Sequence, residues 1–197
     1  MAKQVIVAIG REYGSGGHEI AEKLAERLGF KLYDRNILED IASHINVPTE
    51  HLEKFEEKPR KLFFSRTVKG HSNSFEENLA EMQFQYLLKR AAEGESFVVV
   101  GRCAEFVLKD CNVTPIFVTG HKEEKIERIM RLYQLDCNEA ISKMKRHDLH
   151  RKQYHNKYSE RKWGDSRGYD LCINSSDIGV ENAVSVIEQF VRCGMEE

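Results

Sequence analysis

VIVAIGREYGSGGHEIAEKLAERLGF, residues 5–30, joins an apolar run to a glycine cluster and then to an amphipathic helical pattern. Val5 to Ile9 shows no alternation, which is how a strand buried on both faces of a parallel sheet reads. After Ile9 the chain must turn sharply. Gly14, Gly16 and Gly17 permit positive φ there and let main-chain N–H groups come close to an anion. Ile20, Leu24 and Leu28 then recur every four residues, backed by Ala21 and Ala25, while Glu22, Lys23, Glu26 and Arg27 face outward and Gly29 supplies the stop. A strand, a glycine turn and a helix whose positive dipole end points at that turn make the outline of a phosphate-binding loop. The positions where such a loop carries a lysine and a hydroxyl residue hold Gly17 and His18. Taken alone, the cluster reads equally well as a tight turn.

Outward from this stretch, further apolar runs follow: FVVVG at 97–101, PIFVT at 115–119, DLCIN at 170–174 and the shorter FKLY at 30–33. Helical patterns lie between them. Asp34 caps a predicted helix through Ile37, Leu38, Ile41 and Ile45, and Ser74 with Glu77 forms a capping box ahead of Leu79, Met82, Tyr86 and Leu87, in a helix ending at Gly94. Ile126, Ile129, Met130 and Tyr133 mark another helix. Asp136 with Glu139 opens the next, through Ala140, Ile141 and Met144, and Ala183, Val184, Ile187 and Val191 mark the last. Strands alternating with helices predict a three-layer α/β domain around a parallel sheet. Residues 46–74 and 154–169 fit this rhythm poorly and are expected as excursions over the sheet edge, where ligands bind in such folds. No internal repeat is visible.

A chain of 197 residues supports one sizeable core, so a single domain over 1–197 is expected. Apolar residues at 41%, charged residues at 31% and only three prolines describe an ordinary soluble protein. No apolar run approaches the roughly 20 residues that span a bilayer, and the N-terminus lacks the features of a signal peptide, so a cytoplasmic location is expected. Cys103, Cys111, Cys137, Cys172 and Cys193 are odd in number and never form a CxxC pair, so they predict neither a disulfide framework nor a zinc site and read as reduced, mostly buried thiols. The net charge of −2 is uninformative, but residues 143–167 hold nine Lys or Arg against three Asp or Glu. Such a run is either a solvated helix face or a place for something anionic.

Other strand ends add candidates. Tyr33, Asp34 and Arg35 follow the second strand, and Gly101 and Arg102 follow the next. One arginine alone reads as a surface charge; two at successive strand ends beside a glycine loop predict a convergent anion site. In the helix from 137 the apolar stripe of Ala140, Ile141 and Met144 continues at helical spacing into Asp148, Arg151 and His155. An inward face that turns ionic leads from core to polar cleft, since unpaired charges are costly to bury; fraying into solvent is the alternative. Trp163, followed by Gly164 and Asp165, offers an anchor on which the basic excursion closes.

The ordered set REYGSGG at 11–17, YDR at 33–35, VVGR at 99–102, D-x-x-R-x-x-Y at 148–154, WGD at 163–165 and YDLCINSS at 169–176 resembles the cytidylate kinase-like proteins, a branch of the P-loop nucleoside monophosphate kinases. The resemblance runs over nearly the whole chain. It implies a P-loop kinase fold with a five-stranded parallel sheet, a monophosphate-binding excursion at 46–74 and an arginine-bearing lid at 146–168. It implies donor phosphates on the loop from Arg11 to His18, with Gly14, Ser15, Gly16 and Gly17 contributing N–H groups. Arg35 and Arg102 would contact the acceptor monophosphate, with Asp34 and Asp148 orienting the arginines or the acceptor. Arg151, assisted by Arg146 or Arg161, would reach the transferring phosphoryl group from the lid. ATP and Mg²⁺ are the implied cofactors, and a cytidylate-type nucleotide the implied acceptor. Relative to ordinary cytidylate kinases, the first loop glycine is Arg11, the lysine is Gly17 and the Mg²⁺-binding hydroxyl residue is His18; similar replacements belong to this branch.

The arginines Arg11, Arg102 and Arg151 are therefore the expected catalytic cations, with Arg11 and the lid standing in for the lysine. No side chain is assigned as a metal ligand, Mg²⁺ being held by phosphates and water. The rival class is a nucleotide-binding regulator that keeps the fold without transfer. A nucleic-acid surface at 143–167 is set aside, because its basic residues share a face with Asp148 and no nucleic-acid module is present.

Overall fold

A computed structural model describes residues 3–34, 37–39, 41, 67–68, 71–72 and 75–196. Five parallel strands lie in the order β2-β5-β1-β6-β7. They are β1 (Ile6–Arg11), β2 (Lys31–Tyr33), β5 (Phe97–Val100), β6 (Val113–Thr119) and β7 (Leu171–Asn174). β3 (Thr67–Val68) and β4 (His71–Ser72) pair separately as an antiparallel ribbon. The helices among the described residues include α1 (Gly17–Leu28), α2 (Phe75–Ala92), α3 (Ala104–Val107), α4 (Lys122–Tyr133), α5 (Cys137–Tyr158) and α6 (Ser175–Glu196), the last broken at Gly179.

The uniform apolarity of β1 has its cause in what covers it. Val5, Val7 and Ile9 point into a cluster with Ile20 and Leu24 of α1 and Val184, Ile187 and Val191 of α6. Ile6 and Ala8 point the other way, against Tyr33, Leu79, Leu87, Phe97 and Leu108. With period-two alternation, a strand covered on both faces has no position left for a polar residue. A third cluster, Ile126, Ile129, Ala140 and Met144, joins α4 to α5 and takes in Tyr13 of the glycine turn.

The expected punctuation is in place. Gly29 ends α1 in a left-handed conformation (φ 67°), with its N–H bonded to Glu26 O and that of Phe30 to Ala25 O. Asp136 and Glu139 make the reciprocal capping box of α5. Asp34 and the residues at 37–39 and 41 are described, whereas the Ser74 cap, Ile45 and most of 46–74 lie outside the described residues.

Two expectations are corrected. Residues 154–158 are not part of an irregular excursion but the end of α5, which is one helix of 22 residues. Beyond Met144 its helical spacing is carried by Asp148, Arg151 and His155, so the helix continues where the apolar period stops. The irregular part begins at Ser159, and there Trp163 packs edge-on to Phe117 of β6, centroids 5.5 Å apart. Gly10 makes room for this, since a Cβ there would lie 2.9 Å from the Phe117 ring. The thiols are also not mostly buried: Cys103 is, Cys111 is half-buried, and Cys137, Cys172 and Cys193 are exposed. Among the described residues no helix is long and apolar enough to cross a membrane.

Candidate functional site

The sheet order reverses at β1, whose neighbours β5 and β6 belong to opposite branches of the chain, so the turn after Arg11 opens at a topological switch point. Gly14 (φ 86°) and Gly16 (φ 76°) adopt the left-handed conformation that the turn requires. At Gly14 a side chain is excluded twice over, because its Cβ would lie 2.8 Å from Lys125 O. Buried Ser15 turns its hydroxyl inward to Glu12 O (2.8 Å), and Ser175 Oγ lies 2.5 Å from Ser15 O and 3.0 Å from Thr119 O, tying the turn to β6 and α6. Among the described residues no protein acceptor is bonded to the N–H groups of Gly14, Gly16 and His18. With the α1 N-terminus behind them, these donors make a cradle of a kind that can receive an anion.

Beneath the turn, Glu12 Oε2 accepts from Lys125 Nζ and from Thr119 Oγ1, each at 2.6 Å. Burial pushes the Glu12 carboxyl up, but these two bonds outweigh it and hold it below the usual range. The buried Lys125 ammonium is thus spent on fixing the base of the turn.

Arg11 explains the missing side chain at position 17. A Cβ at Gly17 would lie 2.5 Å from Arg11 Cβ, and one at Gly101 would collide with Arg11 Nη1. The arginine therefore runs through the volume that a side chain at 17 would need and carries its guanidinium to the end of β5. Arg102 stands next to that point. Gly101, Arg102 and Cys103 are successively left-handed (φ 75°, 60° and 55°). Strain of this kind at two non-glycine residues persists where the surroundings over-determine it, and such places cluster at functional sites. The charge of Arg102 is felt at Tyr154 of α5.

On one side of the cradle, His18 Nε2 lies 2.6 Å from Asp34 Oδ2, with Glu22 3.4 Å from Nδ1. The bond to Asp34 raises the His18 pKa above its model-peptide value of 6.5, against an opposing effect of burial. A raised folded-state pKa stabilises the fold fully below about pH 6.5, and this contribution is lost as pH rises through the folded value. We expect the urea midpoint to fall between pH 6 and 8 in the native chain, and Asp34→Asn to flatten that slope. An unchanged slope would mean that the pair contributes nothing to folding.

On the other side, α5 closes over the turn. Asp148 Oδ1 accepts from Tyr13 N–H at 2.7 Å, and the His147 ring stacks on Tyr13 at 4.2 Å with 5° between planes. Arg151 lies over the Tyr13 ring, Cζ 5.2 Å from its centroid, and donates from Nη1 to Arg11 O at 3.1 Å. Burial raises the Asp148 pKa, opposed by the Tyr13 N–H and by Arg151. Burial, followed by the charges of Arg151, Lys143 and Arg146, pushes His147 down to about 4, so the stacked ring is neutral at pH 7.

Of the residues singled out from sequence, Arg11, Gly14 to His18, Asp34, Arg102, Asp148 and Arg151 thus gather at the ends of β1, β2 and β5. Arg146 is exposed on α5, and Arg161 is exposed and donates to Arg167 O within its own segment. Arg35 lies outside the described residues. Tyr13, His147, Glu12, Lys125 and Ser175 were not singled out. Tyr13 stood in the quoted loop, and its ring between glycines was the available signal; the others depend on contacts between segments more than 100 residues apart.

A family model described as the cytidylate kinase-like family matches residues 6–177. A cytidylate kinase of Saccharolobus islandicus is 24% identical over 190 residues, 95% of this chain and 90% of that protein. The crystal structure of an uncharacterized protein from Eubacterium ventriosum is similar with a TM-score of 0.76 and 37% identity, covering 96% of this chain and 99% of that one. Shikimate kinase from Bacteroides thetaiotaomicron has the same fold, with a TM-score of 0.57 at 13% identity over 95% of this chain and 98% of its own.

Proposed function

Because the chain belongs to the cytidylate kinase-like family, we propose that it transfers the γ-phosphoryl group of ATP to a nucleoside monophosphate, with a cytidylate-type acceptor. The observation that carries the proposal is the path of Arg11 across Gly17 to Gly101, which brings a permanent cation past the glycine cradle to the end of β5. A turn that had lost its purpose would have no reason to keep two glycines clear for one guanidinium.

Phosphoryl transfer asks for in-line positioning, charge neutralisation and exclusion of water more than for covalent chemistry. The N–H groups of Gly14, Gly16 and His18 hold the donor phosphates, with Arg11 beside them. Arg102 at the end of β5 takes the acceptor phosphate, together with Arg35. Arg151 turns from Arg11 O to the transferring group, with Asp148 positioning both Arg151 and the Tyr13 end of the turn. Residues 146–168 act as the lid and 46–74 as the acceptor-binding excursion. The residues fit a Mg²⁺–nucleotide whose metal is held by phosphates and water, because His18 is committed to Asp34, while Asp34 and Asp148 flank the turn as carboxylates for its water shell. When bound, the ion supplies neutralisation of the donor phosphates.

The deciding experiment incubates the chain with ATP, Mg²⁺ and a panel of nucleoside monophosphates and measures ADP. We expect release with cytidine monophosphate well above that with the other bases. ATP binding without ADP from any acceptor would instead identify a nucleotide-binding regulator. A second expectation concerns the cradle. Gly16→Val strains a backbone at φ 76° and sets its side chain against Arg128 and Val180, so nucleotide binding should disappear in calorimetry while the thermal transition remains cooperative.

A further inference from the structure

Away from the cradle, α3 and α5 meet through three side chains whose chemistry the transfer reaction does not use. His155 is buried on the inward face of α5, with Nε2 2.6 Å from Glu105 Oε1. Buried Cys103, at the start of α3, has Sγ 3.7 Å from the same carboxylate oxygen. One ligand atom from each of the three falls within 4.8 Å of the others. The second ring nitrogen, His155 Nδ1, is buried with no hydrogen-bond partner, and the His155 side chain is only 8% exposed. The Cys103 thiol also lies 3.9 Å from His155 O, and a plain His–Glu pair leaves Nδ1 unpartnered. A cavity of about 330 Å³ opens onto the cluster, lined by Glu105 and His155 and, around them, Lys109, Arg161, Arg167 and Asp170.

We propose that Cys103, Glu105 and His155 form a binding site for one divalent cation of the zinc type, with its fourth position open toward the cavity. Thiolate, imidazole and carboxylate together select a borderline-soft ion and disfavour Mg²⁺ and Ca²⁺, which take oxygen ligands. Zinc bonds of about 2.0–2.3 Å put tetrahedral ligands about 3.5 Å apart, so the 2.6 Å His155–Glu105 pair has to part by roughly 1 Å to admit the ion while the widest pair, within 4.8 Å, closes by about as much, both within reach of side-chain rotation. Binding replaces the S–H bond by an S–metal bond and releases one proton to solvent. The cavity supplies both the entry path and room for a water as fourth ligand. The filled site cross-links α5, which carries Asp148 and Arg151, to the left-handed turn that carries Arg102. No spacing signal marks this set, because two ligands sit two residues apart and the third is 50 residues on, with no CxxC pair.

The test uses the whole chain, stripped with EDTA and titrated with Co²⁺ and with Zn²⁺. We expect one equivalent of Co²⁺ with an intense thiolate-to-metal charge-transfer band, displaced by Zn²⁺. Cys103→Ser should abolish the band, and His155→Gln and Glu105→Gln should each weaken Zn²⁺ affinity by about 100-fold or more, at least the loss known for outer partners of metal ligands. The triple change of Cys137, Cys172 and Cys193 to serine should leave band and affinity intact. Metal-free melting of each variant shows whether it folds, and Glu105→Gln, which keeps size and hydrogen bonding, serves if a buried change does not. Absence of the band, or a band that follows the exposed cysteines and survives in Cys103→Ser, overturns the site.

Discussion

Arg151→Ala is expected to lower kcat by about 10³-fold, roughly 4 kcal/mol of transition-state stabilisation, while ATP affinity stays nearly constant. In the structure Arg151 rests on the Tyr13 ring and donates to Arg11 O, a neutral acceptor that it can exchange for a charged phosphoryl oxygen. An interaction gained only as charge develops appears in kcat and not in binding. Arg151→Lys should recover little, since an ammonium lacks the planar fork that spans two oxygens. Stopped-flow or coupled-assay kinetics alongside calorimetric Kd values separate the two quantities. Parallel losses in turnover and affinity would make Arg151 an ordinary binding residue.

The second large effect should come from moving the cation. Arg11→Gly alone should cost about 10²–10³-fold in kcat/KM, the usual range for losing one preorganised charge-stabilising donor. Gly17→Lys alone should do comparable harm, because a Cβ at that position lies 2.5 Å from Arg11 Cβ and the arginine has to leave its channel. Made together, the two exchanges should recover most of the activity, since the lysine takes the volume the arginine vacates. Such strong non-additivity is the signature of residues sharing one space. Simple addition of the two losses would show that Arg11 does not stand in for the lysine.

Much of this arrangement was legible in the sequence, for physical reasons. Strands β1 and β5 and the middle of β6 are covered on both faces and so announced themselves as unbroken apolar runs, whereas β7 at the sheet edge read the same way although Cys172 in it is exposed. The capping box at Asp136 and the stop at Gly29 are local devices, readable from three or four residues. Arg151 and Asp148 were found because they continue an apolar stripe at helical spacing. The extent of α5 was misjudged at its far end for the matching reason: polar residues keep a helix's spacing without keeping its hydrophobic period. The exposure of Cys137, Cys172 and Cys193 went unread because thiols are buried on average and nothing local marks the exceptions. Glu12 with Lys125, Tyr13 with His147 and Cys103 with His155 are pairings between distant segments, for which one sequence holds no signal until the sheet order is known.

The continuity of α5 has a mechanical consequence. Asp148 and His155 sit seven residues, or about 10 Å, apart on one stripe of an unbroken helix about 33 Å long. The first is pinned to the turn through Tyr13 and the second to Glu105 of α3. A stiff bar fastened at two points does not peel away residue by residue; releasing the outer fastening swings it about the inner one. If α5 moves as the proposed lid, His155 is its fulcrum, and the firmness of that joint would set how far Arg151 travels.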